Sequence, residues 1–182
     1  MISRKKSYSW MNPKLIVKDT KKYGKGVFAI KKIRKDELLS IFGGYVMSRS
    51  EEMKLPKKVN DNAVQISEGY VLGVKKVSEL EDASYFNHSC NPNSGFKGQI
   101  FLIAMRNISE GEQVTFDYGM VLHEVRNIKK QYNLNCYCGE KKCRKVITFS
   151  DWKKPELQKK YNGYFQYYLQ EKINKLNKQN GI

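Results

Sequence analysis

The sequence predicts a mostly β fold (β+α), with helix confined to the C-terminal end. Two observations carry this. Short apolar runs punctuated by Gly, Asn and Asp recur from Lys14 to Phe116, the signature of short, closely spaced strands. After Asp151 the pattern changes: Leu157, Tyr161 and Tyr164 to Phe165, then Tyr168, Leu169 and Ile173, recur at helical spacing.

Taken in order, the candidate strands are LIVKD (15–19), GVFAI (26–30), ELLSIF (37–42), AVQIS (63–67), YVLGV (70–74), QIFLIAM (99–105) and EQVTF (112–116). SRSEEMKLPKK (48–58) reads as a helical turn or surface loop stopped by Pro56, and SELEDASYF (78–86) as a short helix. VLHEVRNIKKQYNL (121–134) reads as loop or helix. Gly163 divides the C-terminal helical stretch in two. The aromatic stripe on that stretch suits docking onto the core, and it suits a dimer contact as well. The boundaries that follow are a basic N-terminal extension at 1–13, expected to be loose, a β domain at 14–119, a cysteine-bearing segment at 120–149 and a helical extension at 150–182.

The chain has 182 residues, 40% hydrophobic and 29% charged, enough apolar residues for a real core. No run approaches the ~20 apolar residues that span a bilayer, and no apolar stretch follows the basic N-terminus. The expectation is an intracellular protein without a membrane partner, in the cytoplasm or the nucleus or nucleoid. A secreted effector is the remaining alternative. In a reducing compartment, four cysteines point to metal ligands rather than disulfides. Thirty-four Lys and Arg against 18 Asp and Glu leave a net charge of +16. Such a charge attracts polyanions, whether DNA, RNA, a nucleosome or a ribosome. A lysine- and asparagine-rich composition alone explains it equally well. No basic cluster has the spacing of a base-reading helix.

Three cysteines, Cys136, Cys138 and Cys143, fall in NCYCGEKKCRK, and the fourth, Cys90, lies 46 residues before Cys136 in YFNHSCNPNS. Together they make a four-thiolate set for Zn(2+). Closing it would clamp the C-terminal segment onto the NHSC loop and make its folding metal-dependent. His88, two residues from Cys90, is a competing ligand; His123 stands apart and reads as solvated. The alternative is four free thiols with Cys90 buried as a small apolar residue.

NHSCNPN (87–93), EGEQVTFDYG (110–119), CYCGEKKC (136–143) and KYGKGVFAIKKIRKDELLSIFGGYV (22–46) together resemble the SET-domain protein lysine methyltransferases with a post-SET zinc segment. The resemblance spans about Lys14 to Ile147, and the tail resembles that of small stand-alone, bacterial-type members. It implies a SET-type fold of several short sheets with a knot-like C-terminal threading that brings NHSC against FDY. It also implies methyl transfer from S-adenosyl-L-methionine to a lysine of a histone, histone-like or other basic protein.

By that resemblance Tyr118 is the catalytic tyrosine. Gly24, Lys25 and Gly26, with Asn87 and His88, hold the cofactor. Phe116 lines the lysine channel, and a phenylalanine there implies room for di- or trimethylation. Phe96 and Tyr70 are channel candidates or plain core residues, and both readings stand. The lid is one of Val146, Ile147, Phe149 and Trp152. Glu79, Glu81, Asp82, Glu110 and Glu112 are acids that could receive a basic peptide. Two departures bear on substrate choice: Gly43–Gly44 stands where many members carry Gly-Glu, and LEDASYF where many carry Gly-Asn and Arg. A different class also fits, a catalytically inactive, zinc-stabilised chromatin or nucleic-acid binding module. Retention of Tyr118, Asn87 and His88 together argues against it. Oligomeric state is open.

Overall fold

A computed structural model describes residues 7–20, 24–124 and 133–179. Its strands are short, and they gather into three small sheets and one separate pair. Strands β1 (Trp10–Met11), β4 (Leu38–Ile41), β10 (Phe101–Ala104) and β9 (Ser94–Lys97) form one antiparallel sheet in the order β1-β4-β10-β9. A second has the order β2-β3-β11-β8, from β2 (Leu15–Asp19), β3 (Lys25–Ala29), β11 (Gln113–Phe116) and β8 (Asn87–His88). Its last pairing, β11 with β8, is parallel. The third sheet packs β5 (Tyr45–Ser48), β7 (Tyr70–Gly73) and β6 (Val64–Gln65). A final pair, β12 (Leu134–Asn135) with β13 (Val146–Ile147), belongs to the cysteine segment.

The sheets close around one core. Val27, Ile33, Leu39, Phe96, Leu102, Ile108 and Val114 are all fully buried in it. Alternation does this work: along β11 the pattern buries Val114 and Phe116 and leaves Gln113 and Thr115 half-buried, as a pleated strand requires.

The N-terminal residues are not loose where they are described. Trp10 and Met11 pair with Ile41 and Ser40, and the Ser40 hydroxyl donates to the Trp10 carbonyl at 2.7 Å. Glu81 accepts from the backbone N–H groups of Tyr8 (3.0 Å) and Ser9 (2.7 Å). The segment thereby covers what would be an open edge of β4. It also accounts for Gly43: a Cβ there would fall 1.7 Å from the Tyr8 carbonyl oxygen. The departure at Gly43–Gly44 therefore has a packing cause.

Between β5 and β6 lie two single-turn helices, α1 (Arg49–Glu52) and α2 (Lys57–Asn60). Ser48 caps α1 in a reciprocal capping box with Glu51, and Pro56 sits at the start of α2, where its missing N–H costs nothing. At the C-terminal end, Pro155 opens α3 (Pro155–Lys160) and Gly163, at φ +76°, turns the chain into α4 (Tyr167–Gln179). Leu157, Tyr161, Phe165, Leu169 and Ile173 all bury into the main core, so the aromatic stripe docks onto its own chain. Among the described residues, no helix is long and apolar enough to cross a membrane.

Candidate active site and metal centre

The parallel pairing of β8 with β11 is what assembles the site. It sets Asn87 beside Thr115 and His88 beside Phe116, and the Ser89 N–H donates to the Phe116 carbonyl at 3.2 Å. On its other side β11 pairs with β3. Three segments far apart in sequence thus meet at one corner. Gly24, at φ +72°, starts the approach, and the Asn87 side-chain amide donates to the Lys25 carbonyl at 2.9 Å. Gly26 lies so close to this corner that a Cβ would meet Gln113 Nε2 at 2.5 Å, Thr20 Cγ2 at 2.8 Å and Asn87 Nδ2 at 2.9 Å. Lys25 extends over the Tyr85 ring, Nζ 5.0 Å from its centroid. Among the described residues, Gln113 Nε2 is buried with no acceptor. An orphaned buried donor carries a desolvation cost of about 1–3 kcal/mol, and a ligand acceptor placed in this corner would relieve it.

From the corner a cleft of about 910 Å³ opens, within the usual range for small-molecule sites. Phe42, Phe86, Phe116 and Tyr118 form its apolar wall, and residues of α1, α2 and the loops around them also line it. Tyr118 keeps some exposure to the cleft, with its hydroxyl aimed at the Phe86 carbonyl at 3.4 Å. Desolvation pushes that hydroxyl up to about 12, with the Asp61 charge adding to the effect. It is therefore a neutral hydrogen-bonding group at physiological pH. The ring packs against Phe116 and against His88, 5.2 Å from each.

Phe116 faces the cleft, whereas Phe96 and Tyr70 do not line it. Pairing of β9 with β10 turns Phe96 fully into the core, edge-on to Phe116 at 5.3 Å. Tyr70 stands 54% exposed on β7. Phe42 and Phe86 take the wall positions instead. Phe42 sits immediately before Gly43–Gly44 and Phe86 immediately before Asn87, so proximity to the motifs was the available signal. Among the lid candidates, Phe149 reaches the cleft. Trp152 stacks instead on His123, 5.3 Å apart at 23°. His123 is accordingly buried rather than solvated, with its backbone N–H donating to Gln65 Oε1 at 2.9 Å.

The acids are also arranged differently from the sequence expectation. Glu79 and Glu81 are occupied by the N-terminal residues and Glu112 by Arg106. The carboxylates that line the cleft are Glu52 and Asp61. Burial raises the Glu52 carboxyl against the opposing pull of its Arg49 partner at 2.7 Å.

The cysteines converge beside this cleft. The ligand atoms of His88, Cys90, Cys136 and Cys138 all lie within 4.8 Å of one another, and Cys90 Sγ is 3.8 Å from Cys136 Sγ. A tetrahedral zinc with bonds of about 2.3 Å requires sulfur atoms about 3.8 Å apart, so the donor set fits that ion. Cys143 borders the group: its thiol contacts the Cys136 carbonyl at 3.6 Å, and the Lys145 N–H lowers it to about 7. Burial pushes the Cys90 thiol up to about 11 and the Cys136 thiol further. A cation would reverse both, because a coordinating thiol is deprotonated.

His88 competes poorly as the fourth ligand. Its Nδ1 accepts the Tyr118 N–H at 3.1 Å, and burial lowers its pKa to about 4. The neutral ring must then carry its proton on Nε2, which lies 3.3 Å from Cys90 Sγ. That nitrogen donates to the sulfur; Cys143, the fourth thiol, lies outside the group whose ligand atoms are within 4.8 Å of one another.

Asp117, between Phe116 and Tyr118, is fully buried and accepts from Arg144 Nη1 at 2.6 Å and Nη2 at 2.7 Å, and from the Tyr161 hydroxyl at 2.9 Å. Arg144 Nε reaches Asp151 at 3.1 Å. One arginine beside Cys143 thus ties the end of β11, the cysteine segment and the C-terminal extension together. Burial works against the Asp117 carboxylate, but the hydrogen bonds from Arg144 hold it below the usual range. Nothing in the order of these charges along the sequence marked them as partners.

A family model described as the SET domain matches residues 24–119. The chain is 28% identical over 155 residues to a histone-lysine N-methyltransferase, H3 lysine-36 specific, of Debaryomyces hansenii, covering 78% of this chain and 20% of that protein. It is 25% identical over 143 residues to the histone-lysine N-methyltransferase mes-4 of Caenorhabditis elegans, covering 66% of this chain and 15% of that one. It therefore spans a fifth or less of the length of these two relatives. The methyltransferase domain of human SETMAR superposes with a TM-score of 0.57 at 19% identity, over 76% of this chain and 59% of that one. KRYPTONITE in complex with mCHH DNA, an H3(1-15) peptide and SAH superposes at 0.55 and 24%, over 75% and 30%. With the match covering more than half of the sequence and the same fold found in these structures, the chain belongs to the SET-domain family.

Proposed function

We propose that this protein transfers a methyl group from S-adenosyl-L-methionine to a lysine side chain of a basic, histone-type protein. The observation that carries this is the meeting of two features at one point. The Asn87–Gly26 corner, with its orphaned Gln113 amide, opens into an apolar cleft that ends at the Tyr118 hydroxyl and the Phe86 carbonyl. The relatives named as histone-lysine methyltransferases and the structural neighbours solved with SAH support the same reading.

The cofactor supplies an electrophilic methyl on a sulfonium. The chain supplies the rest. Asn87, His88 and the 24–26 turn bind and orient it. Phe42, Phe86 and Phe116 exclude water from the approaching lysine, which disfavours its ammonium form and releases the proton to solvent. Tyr118, neutral at pH 7, and the Phe86 carbonyl hold the amine so that its lone pair faces the methyl group. Alignment of this kind accounts for most of what such a displacement needs. With phenylalanine at 116, no hydroxyl there restrains the amine, and the reading extends to di- or trimethylation.

Glu52 and Asp61, each paired with a cation of the same cleft (Arg49 and Lys57), offer a basic peptide carboxylates that it can share. Cys90, Cys136, Cys138 and Cys143 would hold zinc, fixing residues 133–149, and Phe149 with them, over the cleft. The charge of +16 leads us to include contact with the nucleic acid that accompanies such substrates, in the nucleus or nucleoid.

Transfer of labelled methyl to histones and to a basic peptide tests the reading, with wild type beside Tyr118→Phe. Loss of the hydroxyl is expected to lower kcat by about 100-fold, roughly 2.7 kcal/mol of transition-state stabilisation, with the melting temperature almost unchanged. Absence of S-adenosyl-L-methionine binding by the zinc-loaded wild type would overturn it in favour of an inactive binding module.

A further inference from the structure

The turn between β3 and β4 carries five successive residues, Lys31-Lys32-Ile33-Arg34-Lys35, that serve no role in the cleft. Ile33 is fully buried and exchanges both backbone hydrogen bonds with Ile108, at 3.0 Å each. The four cations around it are exposed. The backbone beyond is fixed as well. Lys35 N–H donates to Asn107 Oδ1 at 2.9 Å, and Asp36, at φ +66°, donates to the Ala104 carbonyl at 2.8 Å. This is a rigid platform rather than a loose basic tail.

Lys32, Arg34 and Lys35, with Lys14, Glu37 and Asn107, line a depression of about 600 Å³. Its one carboxylate is already engaged: Glu37 accepts from Lys14 at 2.6 Å, and that hydrogen bond holds its carboxyl below the usual range. Among the described residues, Lys32, Arg34 and Lys35 have no ion-pair partner. Three unpaired like charges around one concavity repel each other, and a purely structural role does not explain their placement. A polyanion does. The lining contains no aromatic ring on which single-stranded bases would stack and no apolar side chain to enter a bilayer. An open rim of long, exposed side chains suits a string of phosphates better than one enclosed phosphate.

Ile33 follows the end of β3 opposite to the Gly26–Asn87 corner, and the depression shares no lining residue with the cleft. The strand from Gly26 to Ala29 alone sets the two apart by roughly 10 Å. We propose that Lys32, Arg34 and Lys35 form a contact for the phosphate backbone of double-stranded nucleic acid, on a face away from the lysine-accepting cleft. This rests on the nucleic-acid contact included in the proposed function and gives it a location. A substrate tail could then be modified while the enzyme stays docked on the duplex beside it.

The test is binding of the full chain to a fluorescent 20-base-pair duplex across a salt series. Wild type is set beside K32Q/R34Q/K35Q and beside K159Q/K175Q/K178Q, which removes the same charge from other exposed positions. Each phosphate contact contributes about 0.9 to the slope of log K against log salt. The first variant is expected to lower that slope by about 2.7 and the affinity at low salt by about 30-fold or more. The second should lose several-fold less, and methylation of a free peptide should be unchanged in both. Equal losses in the two variants would overturn the location and leave a diffuse charge effect. An unchanged first variant would do the same while leaving nucleic-acid contact standing. Wild type that fails to bind the duplex removes the contact altogether.

Discussion

The two stretches that follow β11 and Tyr118 are held by opposite kinds of force. Residues 150–179 dock by apolar burial: Trp152, Leu157, Tyr161, Phe165, Leu169 and Ile173 all join the main core. Residues 133–149 have little apolar surface to offer. Their cluster is Cys136 and Ile147 with Leu134, Cys138 and Cys143 beside them, against Cys90, Tyr118 and Leu122. What ties this segment down is thiol clustering and the Arg144 ion pairs. The lesson is that the part poised over the cleft is attached by interactions that can be switched off one at a time, while the part behind it cannot be removed without opening the core.

Arg144→Met should break the first kind of attachment. It leaves Asp117 and Asp151, both fully buried, without their shared cation, and removal of one partner of a buried pair costs about 3–5 kcal/mol. Proteolysis is expected to open residues 133–149 first and zinc content to fall, with the 24–119 domain still protected. Simultaneous loss of both regions would show that the segment is integral to the core. Leu169→Ala probes the other kind. A fully buried leucine in the main cluster leaves a cavity that costs about 2–5 kcal/mol. Unfolding should remain one cooperative transition at lower denaturant, with zinc per folded molecule unchanged.

This contrast also sorts what could be read from the sequence. The helical extension was legible because apolar residues repeat at helical spacing, and the cysteine cluster because its chemistry is rare. Strands β2, β3, β4, β6, β7, β10 and β11 announce themselves by apolar runs. β8 does not: Asn87–His88 is two polar residues, a strand only because β11 lies beside it. β1, β5, β9, β12 and β13 escape a reading by apolar runs as well, and each is recognised only by the strand it pairs with. The bidentate Asp117–Arg144 pair was invisible, because charges carry no period and 27 residues separate the partners. His123 read as solvated because nothing local says that Trp152 will stack on it.

Gly26→Ala carries the comparison to the cofactor corner, which depends on neither force but on close approach. The new Cβ collides with the Gln113 and Asn87 side-chain amides. Because both are ends of side chains, the expected stability loss is only about 1–2 kcal/mol. The expected kinetic change is a KM for S-adenosyl-L-methionine raised about tenfold at similar kcat. A variant with normal KM would show that Asn87 does not bind the cofactor through its side chain.

The smallest effect expected is on pH. Stacking on Trp152 and burial against Tyr168 place His123 within the apolar attachment, and burial lowers its pKa below the ordinary 6.5. The unfolded chain therefore takes up a proton that the folded one resists. His123 adds stability that is fully present above about pH 6.5 and is lost as pH falls below it. Between pH 7.5 and 5.5 that loss is bounded at about 1.4 kcal/mol by the titration of the unfolded imidazole. His123→Gln should melt lower than wild type at pH 7.5, with the gap narrowing at pH 5.5. A gap that stays constant would mean that His123 contributes its packing and nothing through its charge. Of the two regions compared, the acid sensitivity would then lie on the cysteine and ion-pair side, where hydrogen bonds from Arg144 hold the Asp117 carboxyl below the usual range.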